Sequence, residues 1–377
     1  MQSSASSADA APALTPEERL RYARHLALPG FGEDGQRRLK AGSVLVVGLG
    51  GLGSPVALYL AAAGVGRLGL IDDDRVDFTN LQRQVLHGTP QVGRMKIESA
   101  AERLRAINPG IALETFPERF DATNARAIVR GYAVVVDGSD NFATRYAAND
   151  ACVAEKRPLV YGAVERFEGQ VSVFDPPRGP CYRCLFPQAP PPETVPSCAQ
   201  AGILGVVTGI AGTLQANEVL KLLTGVGEPL RGQLLAFDAL NARFRQLQIK
   251  RDPACPVCGD FADKPTDPPD DLAETVRGER PLVRRLMPAD WAAIQTREHT
   301  LLLSLREPTA APANGGGRIS QVRIPLAQLH ERLDELAAWR RRPVVCTCPL
   351  GDQAVKAAEL LLESGFTDVA VLAGLDR

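Results

Sequence analysis

At 377 residues the chain is long for one domain, and a length of roughly 150 residues per domain suggests two or three. Charged residues make up 23% and hydrophobic ones 45%, with a formal net charge of -1, a composition that excludes disordered and fibrous proteins. No nucleic-acid footprint, polybasic membrane patch, apolar run near the roughly 20 residues of a membrane helix, or signal-peptide pattern at Met1-Gln2-Ser3-Ser4-Ala5 is present, so a cytoplasmic protein without membrane or nucleic-acid partners is expected.

Residues 1–14 are rich in Ser and Ala and are expected to form a flexible tail. Thr15-Pro16-Glu17-Glu18 then reads as a helix start, with Thr15 at N-cap, Pro16 at N1 and Glu18 closing a capping box. From Ser43 onward short β-rich runs, Val44–Val47, Leu68–Ile71 and Ala133–Asp137, alternate with longer helical patterns. That alternation predicts a Rossmann-like, mostly parallel α/β sheet covered by helices, over a domain spanning 15–262.

After the first strand stand Gly48, Gly50, Gly51 and Gly53, where the lack of side chains permits a tight turn and lets backbone N–H groups approach phosphate. Asp72 ends the second strand and is placed to accept hydrogen bonds from a ribose. These features point to a nucleotide without naming it, and a nicotinamide-dependent oxidoreductase stays open at this stage. The next segment, Asn80-Leu81-Gln82-Arg83-Gln84 followed by Gly93-Arg94-Met95-Lys96, favours an adenylating enzyme. Cations lower the barrier to phosphoryl or nucleotidyl transfer by stabilising charge on phosphate oxygens, which makes Arg83 and Lys96 candidates; the alternative is that both lie on solvated faces. Asp140 follows the strand Ala133–Asp137 at the carboxyl edge of the sheet, where it either holds Mg²⁺ or caps the helix that begins near Asn141.

The order of motifs resembles that of the MoeB/ThiF-type sulfur-carrier adenylyltransferases, relatives of the ubiquitin-activating enzymes, over roughly residues 20–262. Arg21-Tyr22-Ala23-Arg24-His25, the GLGGLGS run from Gly48, DDDRVDFTNLQRQ from Asp72, VGRMK ending at Lys96 and DGSDN around Asp140 carry it. The resemblance implies that the glycine loop and Asp72 hold ATP, that Asn80, Arg83 and Lys96 contact its phosphates, and that Asp140 organises Mg²⁺. It also implies a homodimer in which Arg24 reaches the partner's ATP. The implied reaction is attack on the α-phosphate by the C-terminal carboxylate of a ubiquitin-like, MoaD- or ThiS-like carrier protein.

Eight cysteines in a reducing compartment are better read as metal or redox chemistry than as disulfides. Cys181 with Cys184, and Cys255 with Cys258, form two Cys-x-x-Cys knuckles suited to a structural, four-thiolate Zn²⁺ with no catalytic role. Cys152 fits a helical core position. Cys198 follows the proline-rich stretch Pro187–Pro196. In relatives a cysteine matching Cys198 takes part in covalent or disulfide chemistry during sulfur transfer, which makes it a candidate.

Residues 263–281 are rich in proline and charge and read as a linker, beyond which 282–377 form a smaller α/β domain with strands at Leu301–Leu305 and Val344–Cys346 and a helix at Ala354–Glu363. It resembles a rhodanese domain through the runs Leu302–Pro308 and Arg323–Leu326. Cys348, at the expected N-terminus of the following helix, suits a thiolate or persulfide, the alternative being a buried structural thiol. Rhodaneses usually carry Asp where this chain has Ser304, and Arg with Ser or Thr where it has Gln353 and Ala354. The combined expectation is an adenylyltransferase that also passes sulfur to its carrier, from a donor such as a cysteine desulfurase persulfide or thiosulfate. Its alternative is an adenylyltransferase whose second domain serves only in docking.

Overall fold

The computed structural model describes residues 11–176, 178–189, 202–260, 283–286, 291, 294, 300–305, 319–348 and 352–373. Two compact units divide the chain, Met1–Leu272 and Ala273–Arg377. The expected linker 263–281 and Cys198 lie outside the described residues, as do residues 1–10 of the expected tail. Within 11–14, Leu14 is buried, and the carbonyls of Ala11 and Ala13 accept hydrogen bonds from Arg37 and Lys40. The capping box forms as read: Thr15 Oγ1 accepts from the Glu18 backbone N–H, and the Thr15 N–H donates to the Glu18 carboxylate.

In the first unit the strands are β1 (Ser43–Val47), β2 (Arg67–Ile71), β3 (Ala112–Phe116), β4 (Val134–Asp137), β5 (Leu159–Glu165), β6 (Glu168–Phe174), β7 (Gln233–Asp238) and β8 (Arg243–Gln248). They form one sheet in the order β3-β2-β1-β4-β5-β6-β7-β8. The pairings from β3 to β5 are parallel, whereas β5–β6, β6–β7 and β7–β8 are antiparallel. The sheet is therefore mixed, and the expectation of a mostly parallel one holds only for its first half. The first reversal is local: a two-residue turn at Arg166-Phe167, with Arg166 at φ 50, returns the chain at once from β5 to β6, leaving no length for a crossover helix.

Burial follows the two-residue period of a strand. Val44, Val46, Leu68, Leu70, Val134 and Val136 pack on one face against residues of the helices Gly53–Ala63, Lys96–Ile107 and Gly205–Thr224. Leu45, Val47, Ile71 and Val135 pack on the other face, with Tyr146, Ala148, Ala151 and Cys152 of the helix Phe142–Ala154. Coverage on both sides explains why these strands read as unbroken apolar runs. Burial also pushes the Cys152 thiol up, so Cys152 is core, as its helical position predicts. β8 lies at the sheet edge with all six residues exposed.

Chain order places β1 between β2 and β4, so the connections leaving β1 and β4 depart to opposite faces and open a crevice at the strands' carboxyl ends. Gly48 and Gly138 meet there. A Cβ on Gly48, which has φ 85, would lie 3.0 Å from the Gly138 carbonyl oxygen, and one on Gly53 would lie 1.8 Å from the Gly48 oxygen. Glycine is thus dictated by backbone packing as well as by ligand approach.

The second unit is a fully parallel sheet ordered β11-β10-β12-β13-β9, from β9 (Arg284–Arg285), β10 (Thr300–Ser304), β11 (Ile319–Arg323), β12 (Val344–Cys348) and β13 (Val369–Ala373). The helix Asp352–Glu363 packs Ala354, Ala357, Ala358 and Leu361 into its core.

Candidate nucleotide site and cysteine cluster

The loop after β2 is folded back by backbone pairing. Val76 N–H donates to the Arg94 carbonyl, Gly93 N–H to that of Val76, and Lys96 N–H to that of Asp74. This brings the DDD run 72–74 against the first turn of the helix Lys96–Ile107. Lys96 Nζ lies 2.7 Å from Asp74 Oδ2, with 6% of its side chain exposed. Burial alone would favour neutral Lys96, but Asp72, Asp74 and Asp140 together raise its pKa above the usual lysine value. Lys96 is therefore a buried, fixed cation facing three acids, and its solvated-face alternative fails.

Asp72 Oδ2 accepts from the Leu49 N–H at 2.7 Å, and its Oδ1 accepts from Asp74 N–H at 2.8 Å. Burial raises its carboxyl above the usual range, against the opposing pull of Lys96. In this state Asp72 organises the glycine loop. Arg83 is half-buried and donates to Asn80 Oδ1 at 2.8 Å and to the Thr79 carbonyl at 3.3 Å, so Asn80 orients Arg83. Gly50 and Gly51 lie on the loop between Leu49 and Leu52, and Thr208 of the helix Gly205–Thr224 backs Gly51. Arg24 is exposed on the short helix Ala23–Leu26, within a chain segment remote from these residues in sequence.

Asp140 is exposed beyond β4, and it is not the helix cap: Asn141 Oδ1 accepts from Thr144 N–H at 2.9 Å as N-cap of the helix Phe142–Ala154. Behind the turn, fully buried Asp137 accepts from the Ser139 N–H and hydroxyl, and its Oδ2 lies 3.6 Å from Arg145 Nε. Burial raises the Asp137 carboxyl while Arg145 opposes the rise.

The four knuckle sulfurs lie within 4.8 Å of one another. The distances are 3.9 Å from Cys181 to Cys184, 3.6 Å from Cys181 to Cys255 and 3.4 Å from Cys184 to Cys258. A tetrahedral ion with bonds of about 2.3 Å requires sulfurs roughly 3.8 Å apart, so the donor set fits Zn²⁺ in size and chemistry. The Asp252 N–H donates to Cys184 Sγ at 3.4 Å. Without a cation, burial and the neighbouring thiols push Cys181 up, and burial takes Cys258 to about 12. The first knuckle is anchored to the helix Phe142–Ala154, because Asn149 accepts from Tyr182 N–H at 2.7 Å and Asp150 pairs with Arg183 at 2.7 Å.

Cys348 ends β12 and is 1% exposed, in the same core cluster as Cys346. Burial pushes the Cys346 thiol up to about 12. Residues 349–351, between Cys348 and the helix Asp352–Glu363, lie outside the described residues. Asp74, Asp137 and Arg145 escaped the reading of the sequence. The unbroken DDD run was a signal for Asp74, whereas nothing in the sequence pairs Asp137 with Arg145.

Residues 22–257 match the ThiF family. The chain is 55% identical over 251 residues to the sulfur carrier protein adenylyltransferase of Thermus thermophilus, covering 65% of this chain and 93% of that protein. It is 41% identical over 376 residues to the maize (Zea mays) adenylyltransferase and sulfurtransferase MOCS3-1, covering 94% of this chain and 80% of the relative. The crystal structure of E. coli MccB with ATP matches at a TM-score of 0.55 and 26% identity, over 63% of this chain and 74% of that one. The chain belongs to the ThiF family, as a member that carries a C-terminal rhodanese-like unit.

Proposed function

We propose that the chain uses ATP to adenylylate the C-terminal carboxylate of a ubiquitin-like sulfur-carrier protein of the MoaD/ThiS type and then passes sulfur to it. The observation that carries this reading is the fixed cation Lys96 set among Asp72, Asp74 and Asp140 beside the glycine loop, in a chain 55% identical to a sulfur carrier protein adenylyltransferase. A carrier carboxylate oxygen attacks the α-phosphorus of ATP, the bond to the bridging oxygen breaks, and pyrophosphate leaves. No protein nucleophile is needed. Lys96 and Arg83 stabilise charge developing on the phosphate oxygens, Asn80 holds Arg83 in place, and Asp72 fixes the loop and meets the ribose. Asp140 would hold Mg²⁺, which when bound neutralises charge on phosphate oxygens. Arg24 completes the site of a partner subunit in a homodimer, and a four-thiolate Zn²⁺ on Cys181, Cys184, Cys255 and Cys258 stabilises the fold. The cytoplasm is the compartment consistent with reduced thiols.

For the sulfur step, a persulfide on Cys348 attacks the acyl-adenylate carbonyl and expels AMP. A second thiol then attacks Cys348 Sγ, releasing the thiocarboxylate and leaving a disulfide for an external thiol to reduce; Cys198 is a separate candidate for covalent chemistry during sulfur transfer. The near-complete burial of Cys348, with Ser304, Gln353 and Ala354 replacing the usual rhodanese residues, favours a second reading in which this unit only docks partners.

Incubating the chain with ATP, Mg²⁺ and carrier and weighing the carrier tests both readings. Added AMP is the expected product without a sulfur donor, and a carrier whose mass never changes while ATP binds would overturn the assignment. With a sulfane-sulfur donor, Cys348→Ala should keep AMP addition within about twofold while thiocarboxylate falls by at least about 100-fold, the scale of losing a covalent relay. Unchanged thiocarboxylate would leave the docking reading.

A further inference from the structure

His87 lies in the segment between Arg83 and Lys96 and is 7% exposed. One ring nitrogen, Nε2, is 3.1 Å from the Leu49 carbonyl oxygen, and the other, Nδ1, is 2.9 Å from Ser99 Oγ. A carbonyl can only accept, so Nε2 carries the proton and Nδ1 accepts from the Ser99 hydroxyl. Ser99 stands on the helix that Lys96 begins, and Leu49 stands in the glycine loop between Gly48 and Gly50. The ring therefore ties the loop to the helix that presents the buried cation.

The two peptide units flanking Leu49 are held from different sides. Its N–H donates to Asp72 at 2.7 Å, and its carbonyl accepts from His87, with the Ser54 hydroxyl more distant at 3.4 Å. In a trans peptide the C=O and the following N–H point in opposite directions. Turning the Leu49 oxygen inward to His87 therefore turns the Gly50 N–H outward, and a Cβ built on Gly50 meets only the Gln84 amide nitrogen, at 3.6 Å. Glycine on the far side of that peptide makes a flip inexpensive unless something holds the carbonyl. A flipped peptide would present an oxygen to phosphate in place of an N–H.

We propose that His87 is a positioning residue for nucleotide binding, which keeps the Leu49–Gly50 peptide in the orientation that offers the Gly50 N–H to an ATP phosphate. The inference rests on the adenylyltransferase reading only for the choice of nucleotide. The ring is held neutral, since burial and the nearby Lys96 charge lower its pKa while the bond to Leu49 opposes them. Groups facing it are the Leu49 carbonyl from the loop, and Ser99 and the Lys96 charge from the helix Lys96–Ile107.

The test compares His87→Gln, whose amide N–H reaches the position of Nε2, with His87→Asn, which keeps a group near Nδ1 but cannot donate to Leu49. Calorimetric ATP affinity and carrier-dependent pyrophosphate exchange are measured on the full chain. His87→Asn should weaken ATP binding about 10-fold or more and raise KM for ATP similarly, with KM for carrier unchanged and His87→Gln restoring affinity to within about threefold, the range of one hydrogen bond that fixes geometry. A merely structural histidine would instead lower Tm in both variants and leave ATP affinity alone; that result, or equal affinity in all three proteins, overturns the proposal. Should His87→Asn fail to fold, ¹⁵N spectra of the wild-type imidazole decide: a protonated Nε2 whose shift moves on ATP addition supports it, and an Nδ1–H tautomer overturns it. Wild-type ATP binding without pyrophosphate exchange would count against the adenylylation reading alone, because the affinity comparison still stands.

Discussion

Lys96→Met should reduce carrier-dependent pyrophosphate exchange by about 10²–10³-fold, the usual cost of losing one preorganised group aimed at developing charge. Methionine keeps most of the buried stem and removes the charge, so the loss is electrostatic. The effect is large because Lys96 faces Asp72, Asp74 and Asp140 together. With the ammonium gone, those carboxylates confront the phosphates uncompensated, and ATP affinity should fall along with kcat. The sign of the pH dependence follows from the raised pKa. The charged form and its share of stability are fully present below the unfolded lysine value of about 10.4 and are lost only as pH rises through the higher folded value. The wild-type rate should therefore show no loss attributable to Lys96 between about pH 7 and 9. Exchange by Lys96→Met within threefold of wild type, in a protein of normal Tm, would remove Lys96 from the account.

Cys255→Ser should lower bound zinc from about one ion per chain to near none and lower the Tm of the first unit on the order of 10 °C. Structural zinc in small domains supplies about 10–16 kcal/mol. Even a third of that, at about 2–4 °C per kcal/mol for a unit of this size, gives the stated shift. The consequence extends beyond the cluster. Tyr182 and Arg183 of the first knuckle hold Asn149 and Asp150, on the helix that begins directly after Asp140. Chelation should therefore weaken ATP·Mg²⁺ binding as well as stability. Metal analysis and calorimetry on the same sample check both, and a wild-type protein that keeps its Tm after its zinc has been removed would refute the structural role.

Much of this architecture is written locally. The apolar runs at Val44–Val47 and Ala133–Asp137 announce buried strands, and Thr15-Pro16-Glu17-Glu18 announces its own cap, because each signal depends on neighbours in sequence. The antiparallel half of the sheet was not legible: Glu168–Phe174 and Gln233–Asp238 pair over a separation of some 60 residues, and no residue in either names its partner. The site divides in the same way. The glycines and Asp72 follow from strand–loop–helix geometry, but the meeting of Asp74 with Lys96 depends on the fold-back of 74–76 onto 93–96. The pairing of Asp137 with Arg145 was hidden too, since in sequence Asp137 looked like the end of a strand and Arg145 like part of a helix.

The assignment of the helix cap to Asn141 separates two duties that one aspartate in this position could have shared. Asp140 makes no capping bond, so its side chain can be exchanged without removing the hydrogen bond that starts the helix. An Asp140→Asn chain should accordingly accumulate in cells at wild-type levels while turning over poorly. Comparing its level in cells with its carrier-dependent pyrophosphate exchange checks that separation.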